Sequence, residues 1–262
     1  MASRGRVGLG IDIGGSGIKG APVDLDRGTF VVDRVKIATP QPATPEAVAA
    51  VVAEIVTAFA DDVPQDAPLG VTFPAVIQHG VARSAANVDR SWIGTNVEEL
   101  LSAVTGRRVL VVNDADAAAM AEHRYGAASG VDGVVLLTTL GTGIGTAVLV
   151  DGVLLPNTEF GHLEIDGYDA ETRASASAKE RENLSYKEWA EERLQRYYSV
   201  IEDLLWPDLI VVGGGVSRKA DKFLPHLRLR APIVPAKLRN TAGIVGAAVL
   251  AAERLGGDRV SA

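Results

Sequence analysis

The chain is 262 residues long, with 47% apolar residues, no cysteine and a formal net charge of −7. That length supports one large domain or two modest ones with ample core. The missing cysteines exclude disulfides, thiolate zinc sites and a cysteine nucleophile, and the negative charge speaks against a general nucleic-acid binder. No apolar run approaches the ~20 residues of a membrane span, and the first residues run straight into a strand without a signal-peptide pattern, so a cytoplasmic protein is expected.

Val7–Ile11, Ala21–Leu25 and Thr29–Ile37 are predicted as three consecutive strands. Between the first two lies Asp12-Ile13-Gly14-Gly15-Ser16-Gly17-Ile18-Lys19, read as a tight turn whose glycines let backbone N–H groups approach a ligand. Asp12, at a strand end, is placed to hold Mg²⁺ or its waters. The stretch is neither a Walker loop nor a dinucleotide fingerprint. Thr44-Pro45-Glu46 then starts a helix running to about Phe59: Thr44 caps, Pro45 takes the first helical position and Glu46 complements the dipole. Leu69–Phe73 is a buried strand, Glu98–Val104 a short helix and Val109–Val112 another strand.

Val111-Val112-Asn113-Asp114-Ala115-Asp116 puts polar groups after a strand and at the start of a helix, Ala115–Tyr125, that stops at Gly126. Asp114 can take a proton from a substrate hydroxyl. The plainer alternative is that Asn113, Asp114 or Asp116 only caps the helix.

A second glycine turn, Leu140-Gly141-Thr142-Gly143-Ile144-Gly145, joins strands Val134–Thr139 and Thr146–Val150. One such turn in each half suggests a grip on a phosphate chain from two sides. Asn157-Thr158-Glu159-Phe160-Gly161-His162 offers Glu159 and His162 to one small polar ligand, and with Asn113 and Asp114 supplies the donors and acceptors that sugar hydroxyls need. A metal on His162 lacks a second nearby histidine. Glu171 and Glu164 are equally placed, by position, as a further site carboxylate.

Ser185 to Glu188 forms a capping box for a helix reaching about Leu205, ended by Trp206-Pro207. Strand Leu209–Val212 is followed by Gly213-Gly214-Gly215-Val216-Ser217, which can admit a base or a phosphate chain, or simply serve as a strand-to-helix loop. From Ser217 to Arg239 seven basic residues stand against the single Asp221, either a solvated face or a track for a polyanion. Thr241 to about Leu255 is a small-residue helix. Residues 8–24 and 135–151 resemble each other, which hints at a duplicated unit.

These motifs, in this order, resemble the sugar kinases of the ROK family. The resemblance implies an α/β, two-lobed actin/hexokinase/Hsp70-like (ribonuclease H-like) fold, with a cleft between duplicated β-β-β-α-β-α units. Residues 1–112 with a tail of about 246–262 would form the smaller lobe and residues 113–245 the larger. Within the family, the stretches 14–20, 85–96, 156–163 and 217–222 are similar to the actinobacterial polyphosphate glucokinases. Most members carry a cysteine-rich zinc loop after the Gly-His motif; this chain has none, and neither does that group, so no zinc is expected.

The resemblance implies phosphorylation of glucose at its 6-hydroxyl with inorganic polyphosphate, and with ATP as an alternative donor, assisted by Mg²⁺. Asp114 would be the catalytic base. Asn87, Asn113, Asp114, Glu159, His162 and Glu171 would bind glucose, alignment with the family's E-x-x-A-S segment favouring Glu171 over Glu164. Asp12, Gly14, Gly15, Ser16, Gly17, Lys19, Gly141, Thr142, Gly143, Gly214, Gly215, Arg218 and Lys219 would hold the donor, and lobe closure would exclude water. A homodimer is expected, with no nucleic-acid or membrane partner. An ATP-only hexose kinase is the nearest alternative. A sugar-sensing repressor would need an N-terminal helix-turn-helix for which the first strand leaves no room, and an actin-like ATPase would not need the sugar-type groups.

Overall fold

The computed structural model describes residues 6–85 and 88–256, which divide into two compact units: the described residues up to 121 together with those from 241 onward, and residues 122–240. The division falls after Ala121, inside a helix, rather than at the strand end near residue 112. The reason lies in the first half of that helix. Ala115, Ala117, Ala119 and Ala121 are buried in the first unit, where a Cβ on Gly246 would sit 1.7 Å from the Ala117 carbonyl oxygen.

In the first unit β1 (Val7–Gly14) and β2 (Gly17–Asp24) form a hairpin. The strand expected over Thr29–Ile37 is two short ones, β3 (Thr29–Phe30) and β4 (Val35–Ile37), which pair with opposite ends of β2. The polar stretch Asp33-Arg34 between them lies outside the sheet, exposed to solvent. Helix α1 (Pro45–Ala58) follows, capped as expected by the Thr44 hydroxyl, which accepts from the Ala47 N–H. Strand β5 (Leu69–Phe73), a small hairpin of β6 (Ile77–Gln78) and β7 (Val81–Ala82), helix α2 (Val97–Thr105), strand β8 (Val109–Asn113) and helix α3 (Asp114–Tyr125) complete the run.

The sheet order is β3-β2-β1-β5-β8, antiparallel from β1 outward through β2 and parallel from β1 through β5 to β8. Leu9, Ile11 and Ile13 of β1 alternate onto one face and are buried with Val48, Val52 and Ile55 of α1. The opposite face carries Gly10 and Gly70, where the C-terminal helix, Ala242–Gly256, lies against the strands. A Cβ at Gly10 would lie 2.0 Å from the Ile244 carbonyl oxygen, and one at Gly70 1.9 Å from that of Ala247. Only glycine permits so close an approach, which is why a helix of Ala, Gly and Val belongs there.

The second unit repeats the plan. Strands β9 (Val134–Leu140), β10 (Ile144–Val150) and β11 (Val153–Leu155) form an antiparallel meander. A hairpin of β12 (Glu164–Ile165) and β13 (Tyr168–Asp169), short helices α4 (Glu171–Ala174), α5 (Ala176–Arg181) and α6 (Tyr186–Trp189), and the longer α7 (Gln195–Leu205) precede β14 (Leu209–Gly213) and β15 (Ile233–Pro235). The sheet order β11-β10-β9-β14-β15 reproduces that of the first unit, strand for strand and direction for direction.

The capping box at Ser185 and Glu188 is present. The expected helix to Leu205 is interrupted by a π-helical turn over Ala190–Leu194, and Trp206 closes it in a left-handed conformation at φ 49°. Gly126 does end α3, and its lack of a side chain makes room for Glu122. The buried Glu122 carboxylate accepts from the N–H groups of Ala127, Lys237 and Leu238. A Cβ at Gly126 would fall 2.0 Å from its Oε2. No helix among the described residues is long and apolar enough to cross a membrane.

Candidate active site

The first glycine turn is tighter than the sequence indicates. The β1–β2 ladder continues to the pair Gly14↔Gly17, so only Gly15 and Ser16 turn, and both are exposed. Asp12 and Lys19 are strand residues that face each other across the hairpin. The Lys19 Nζ lies 3.2 Å from Asp12 Oδ2, and the buried Thr72 hydroxyl donates to Asp12 Oδ1 at 2.8 Å. The first turn of the C-terminal helix sits on the same carboxylate: a Cβ at Gly243 would be 3.4 Å from Asp12 Oδ1.

The pairing Asp12↔Thr72↔Val112 runs across three parallel strands. Asn113 and Asp114 therefore emerge at the same carboxyl edge as Asp12, two strands away, or roughly 10 Å at the usual strand spacing. Asn113 is the helix cap: its Oδ1 accepts from the N–H groups of Ala115 at 2.8 Å and Asp116 at 3.4 Å, and its Nδ2 donates to the Ala75 carbonyl. Asp116 is buried, whereas Asp114 is exposed at the first helical position, with Oδ1 3.0 Å from the Ala115 nitrogen. Asn113 is thus the capping side chain, while Asp114 is exposed at the strand edge. Asn87 lies outside the described residues.

In the second unit the ladder reaches Leu140↔Ile144, so Gly141, Thr142 and Gly143 make the turn. Three segments lock onto it. Glu171, at the start of α4, accepts the Ile144 N–H at 2.9 Å, and its Oε2 lies 2.2 Å from where a Gly143 Cβ would be. Ser177 of α5 donates from its hydroxyl to the Thr142 carbonyl and from its backbone to the Gly141 carbonyl. Glu159–His162 folds against β10: a Cβ at Gly161 would be 2.1 Å from the Ile144 carbonyl oxygen, and the Thr146 hydroxyl donates to the Thr158 carbonyl and accepts from the Phe160 N–H. The glycine in this motif is a packing requirement of the turn it touches.

His162, Asp169 and Glu171 have ligand atoms within 4.8 Å of one another, and Glu159 Oε2 lies 3.9 Å from His162 Nε2. Asp169, which sequence reasoning overlooked, organises this group. Its Oδ2 takes His162 Nδ1 at 2.9 Å and its Oδ1 accepts from the Glu171 N–H. A carboxylate partner fixes the proton on Nδ1, which leaves Nε2 an acceptor in the neutral ring and a donor in the charged one. The hydrogen bond to Asp169 holds the His162 pKa above its ordinary value, with Glu171 and Glu159 acting in the same sense against desolvation. Burial raises the Glu159 carboxyl; His162 opposes that shift and Glu171 adds to it. The only sequence signal for Asp169 is its place two residues before Glu171. Glu164 stands opposite Asp169 in the β12–β13 pair, while Glu171 is the carboxylate that enters the turn.

Gly214 packs on the same turn. At φ 78° and ψ 175° it adopts a backbone open essentially to glycine, with its Cβ position 2.4 Å from the Leu140 carbonyl oxygen. Gly215 opens a 3₁₀ helix, Gly215–Lys222, kinked at Lys219, on which Arg218 and Lys219 are exposed. The basic run beyond it is not one free surface. Arg230 is held by Asp203 at 2.7 Å and Glu202 at 3.5 Å and lies over the Trp206 ring. Two constellations result: Asp12, Lys19, Asn113 and Asp114 on the first unit, and the turn with Glu159, His162, Asp169, Glu171 and Gly214 on the second.

A family model described as the ROK family matches residues 8–183. The polyphosphate glucokinase of Mycobacterium tuberculosis is 55% identical over 249 residues, covering 95% of this chain and 92% of its own. Among solved structures, the inorganic polyphosphate/ATP-glucomannokinase from Arthrobacter sp. strain KM has a TM-score of 0.89 at 58% identity, covering 95% of this chain and 99% of that one. A ROK family glucokinase from Streptomyces griseus, in complex with glucose and AMPPNP, has a TM-score of 0.81 at 25% identity, covering 95% and 100%. With a family model over residues 8–183 and a relative 55% identical over 95% of its length, the chain belongs to the ROK family.

Proposed function

We propose that this protein transfers a phosphoryl group from inorganic polyphosphate to the 6-hydroxyl of glucose, giving glucose 6-phosphate, with ATP as a second donor. The observation that carries this reading is the 55% identity to polyphosphate glucokinases over 95% of the chain. It is supported by the way Glu171 ties the second glycine turn to the sugar-type groups. The solved relative named for both donors supports ATP, and its name also brings mannose forward as a second acceptor.

Phosphoryl transfer passes through a loose transition state, so the protein's task is positioning and charge stabilisation. Asp114 accepts the proton of the 6-hydroxyl as the new P–O bond forms. His162, held by Asp169, presents Nε2 to a ring hydroxyl; Glu159 and Glu171 accept from others, and the remaining Nδ2 hydrogen of Asn113 is available to the sugar. Asn87 belongs to this proposed set. The turns at Gly14–Gly17 and Gly141–Gly143, with Gly214, Gly215, Arg218, Lys219 and Lys19, hold the donor.

Magnesium fits Asp12 through water. Both Asp12 oxygens already have partners in Lys19 and Thr72, and among the described residues no all-protein cage surrounds them, as suits an ion that keeps its waters and takes its other ligands from phosphate. Bound there, Mg²⁺ would neutralise donor charge. A homodimer and a cytoplasmic location complete the proposal on the strength of the family resemblance.

The test is a coupled glucose 6-phosphate assay with purified polyphosphate and no nucleotide. Product formation is the expected result. Activity with ATP alone would reduce the reading to a hexose kinase restricted to nucleotide donors.

A further inference from the structure

The first unit carries a second lysine beside its glycine turn that the motif reading does not include. In the sheet register Lys36 of β4 stands directly opposite Lys19 of β2, which stands opposite Asp12 of β1. Directly paired residues project to the same face, so Lys36, Lys19 and Asp12 form one row. The Lys19 Nζ lies 3.2 Å from Asp12 Oδ2. Lys36 is exposed, and among the described residues no hydrogen bond or ion pair engages it.

Its arm does not run freely into solvent. It folds over Gly17, with Cε 2.8 Å and Cγ 3.8 Å from the place a Gly17 Cβ would occupy. Gly17 therefore has a second purpose besides the turn: it clears a path that brings the Lys36 ammonium to the hairpin tip. Two lysines directly opposite on neighbouring strands repel, a placement that costs stability. An arrangement that is unfavourable alone becomes favourable when a polyanion lies over both ammonium groups.

We propose that Lys36 is a donor-binding residue, contacting the phosphate chain one position outward from Lys19 and favouring a long condensed phosphate over a nucleotide. The proposal rests on the polyphosphate reading given above. A chain of repeating charged units can cover Lys36 and Lys19 at once. A donor with only a few phosphates, anchored elsewhere by its base, gains less from the outer contact.

The test compares wild type, Lys36→Met and Lys36→Arg in steady-state kinetics with polyphosphate and with ATP at several salt concentrations. For Lys36→Met the KM for polyphosphate should rise about three- to fivefold, the worth of one exposed charge pair, with kcat and the glucose KM held. The slope of log KM for polyphosphate against log salt should fall by about 0.7, the share of one cation on a single-stranded polyanion. The KM for ATP should change less. Lys36→Arg should restore both the KM and the slope. The Tm of Lys36→Met should not drop, because relieving the repulsion with Lys19 removes a strain. An unchanged polyphosphate KM and salt slope in Lys36→Met would overturn this assignment while the polyphosphate reading stands. Equal losses with every substrate, together with a lower Tm, would overturn it in favour of a structural role. A wild type inactive with polyphosphate but active with ATP would bring down both readings.

Discussion

Replacing Gly143 by alanine tests the link between the second glycine turn and the sugar-type groups. The φ of Gly143 is not positive, so alanine is allowed by its backbone, and the effect of the change is steric. The new methyl would stand 2.2 Å from Glu171 Oε2 and 3.0 Å from its Cδ. Ordinary contact begins near 3.4 Å, so the carboxylate must retreat by more than about 1 Å and give up the Ile144 N–H. A hydrogen bond to a charged group contributes about 1.5–3 kcal/mol, and water replaces part of it at this half-buried position, leaving a loss of about 1–2 kcal/mol. For a chain of this size that lowers Tm by about 2–8 °C. Activity should suffer more. Misplacing a positioning group by ~1 Å costs up to about 10²-fold, so kcat/KM for glucose should fall by roughly 10–10²-fold in a coupled glucose 6-phosphate assay. The control is Glu171→Ala: on that background Gly143→Ala should cost little more, because the two changes remove the same contact. Wild-type kcat/KM in Gly143→Ala, or full additivity in the double variant, would refute the reasoning.

Three further outcomes follow from the same geometry. Asp114→Ala should lower kcat by about 10²–10⁴-fold with a Tm close to wild type, since the side chain is exposed; near-normal turnover would remove it from the mechanism. Asp169→Asn should lower the His162 pKa measured by NMR titration. Because the folded value is raised, the stability it brings is full below the ordinary 6.5 and is lost as pH climbs through the folded value. The Tm gap between wild type and Asp169→Asn should therefore be widest at acid pH and narrow toward alkaline pH; a gap that widens instead contradicts the assignment. Gly70→Ala puts a methyl 1.9 Å from the Ala247 carbonyl, a backbone atom that cannot rotate away. It should cost about 3 kcal/mol or more in thermal or urea unfolding, and a neutral result would mean that the C-terminal helix is less closely seated than described.

Where local chemistry decides, the structure is legible in the sequence. Thr44, the Ser185–Glu188 box and the apolar runs at Val7, Leu69 and Leu209 mark element starts, because caps and alternation act over a few residues. Long-range geometry is where the reading falls short. Nothing in Thr29–Ile37 says that its halves pair with different ends of β2, and nothing in Ala190–Leu194 announces a π-turn. From the sequence, the glycines of the phosphate-type turns read as room for a ligand, Gly214 equally as a plain strand-to-helix loop, and Gly161 has no reading of its own. In the fold Gly143, Gly161 and Gly214 are also required by carboxylate or carbonyl oxygens of the protein itself. Asp169 and Lys36 escaped notice for the same reason, since each matters through a partner set by pairing or by a turn, His162 for one and Gly17 for the other.

The seating of residues 242–256 on Gly10 and Gly70 has a consequence for biosynthesis. Residues 122–240 are contiguous and carry a five-stranded sheet built wholly from that stretch, so this sheet needs no later segment of chain. The earlier strands do. Their glycine-bearing face has no cover until Ala242–Gly256 has been translated, so the part made first must finish last. A chain ending before Ala242 would display that bare face to chaperones and proteases.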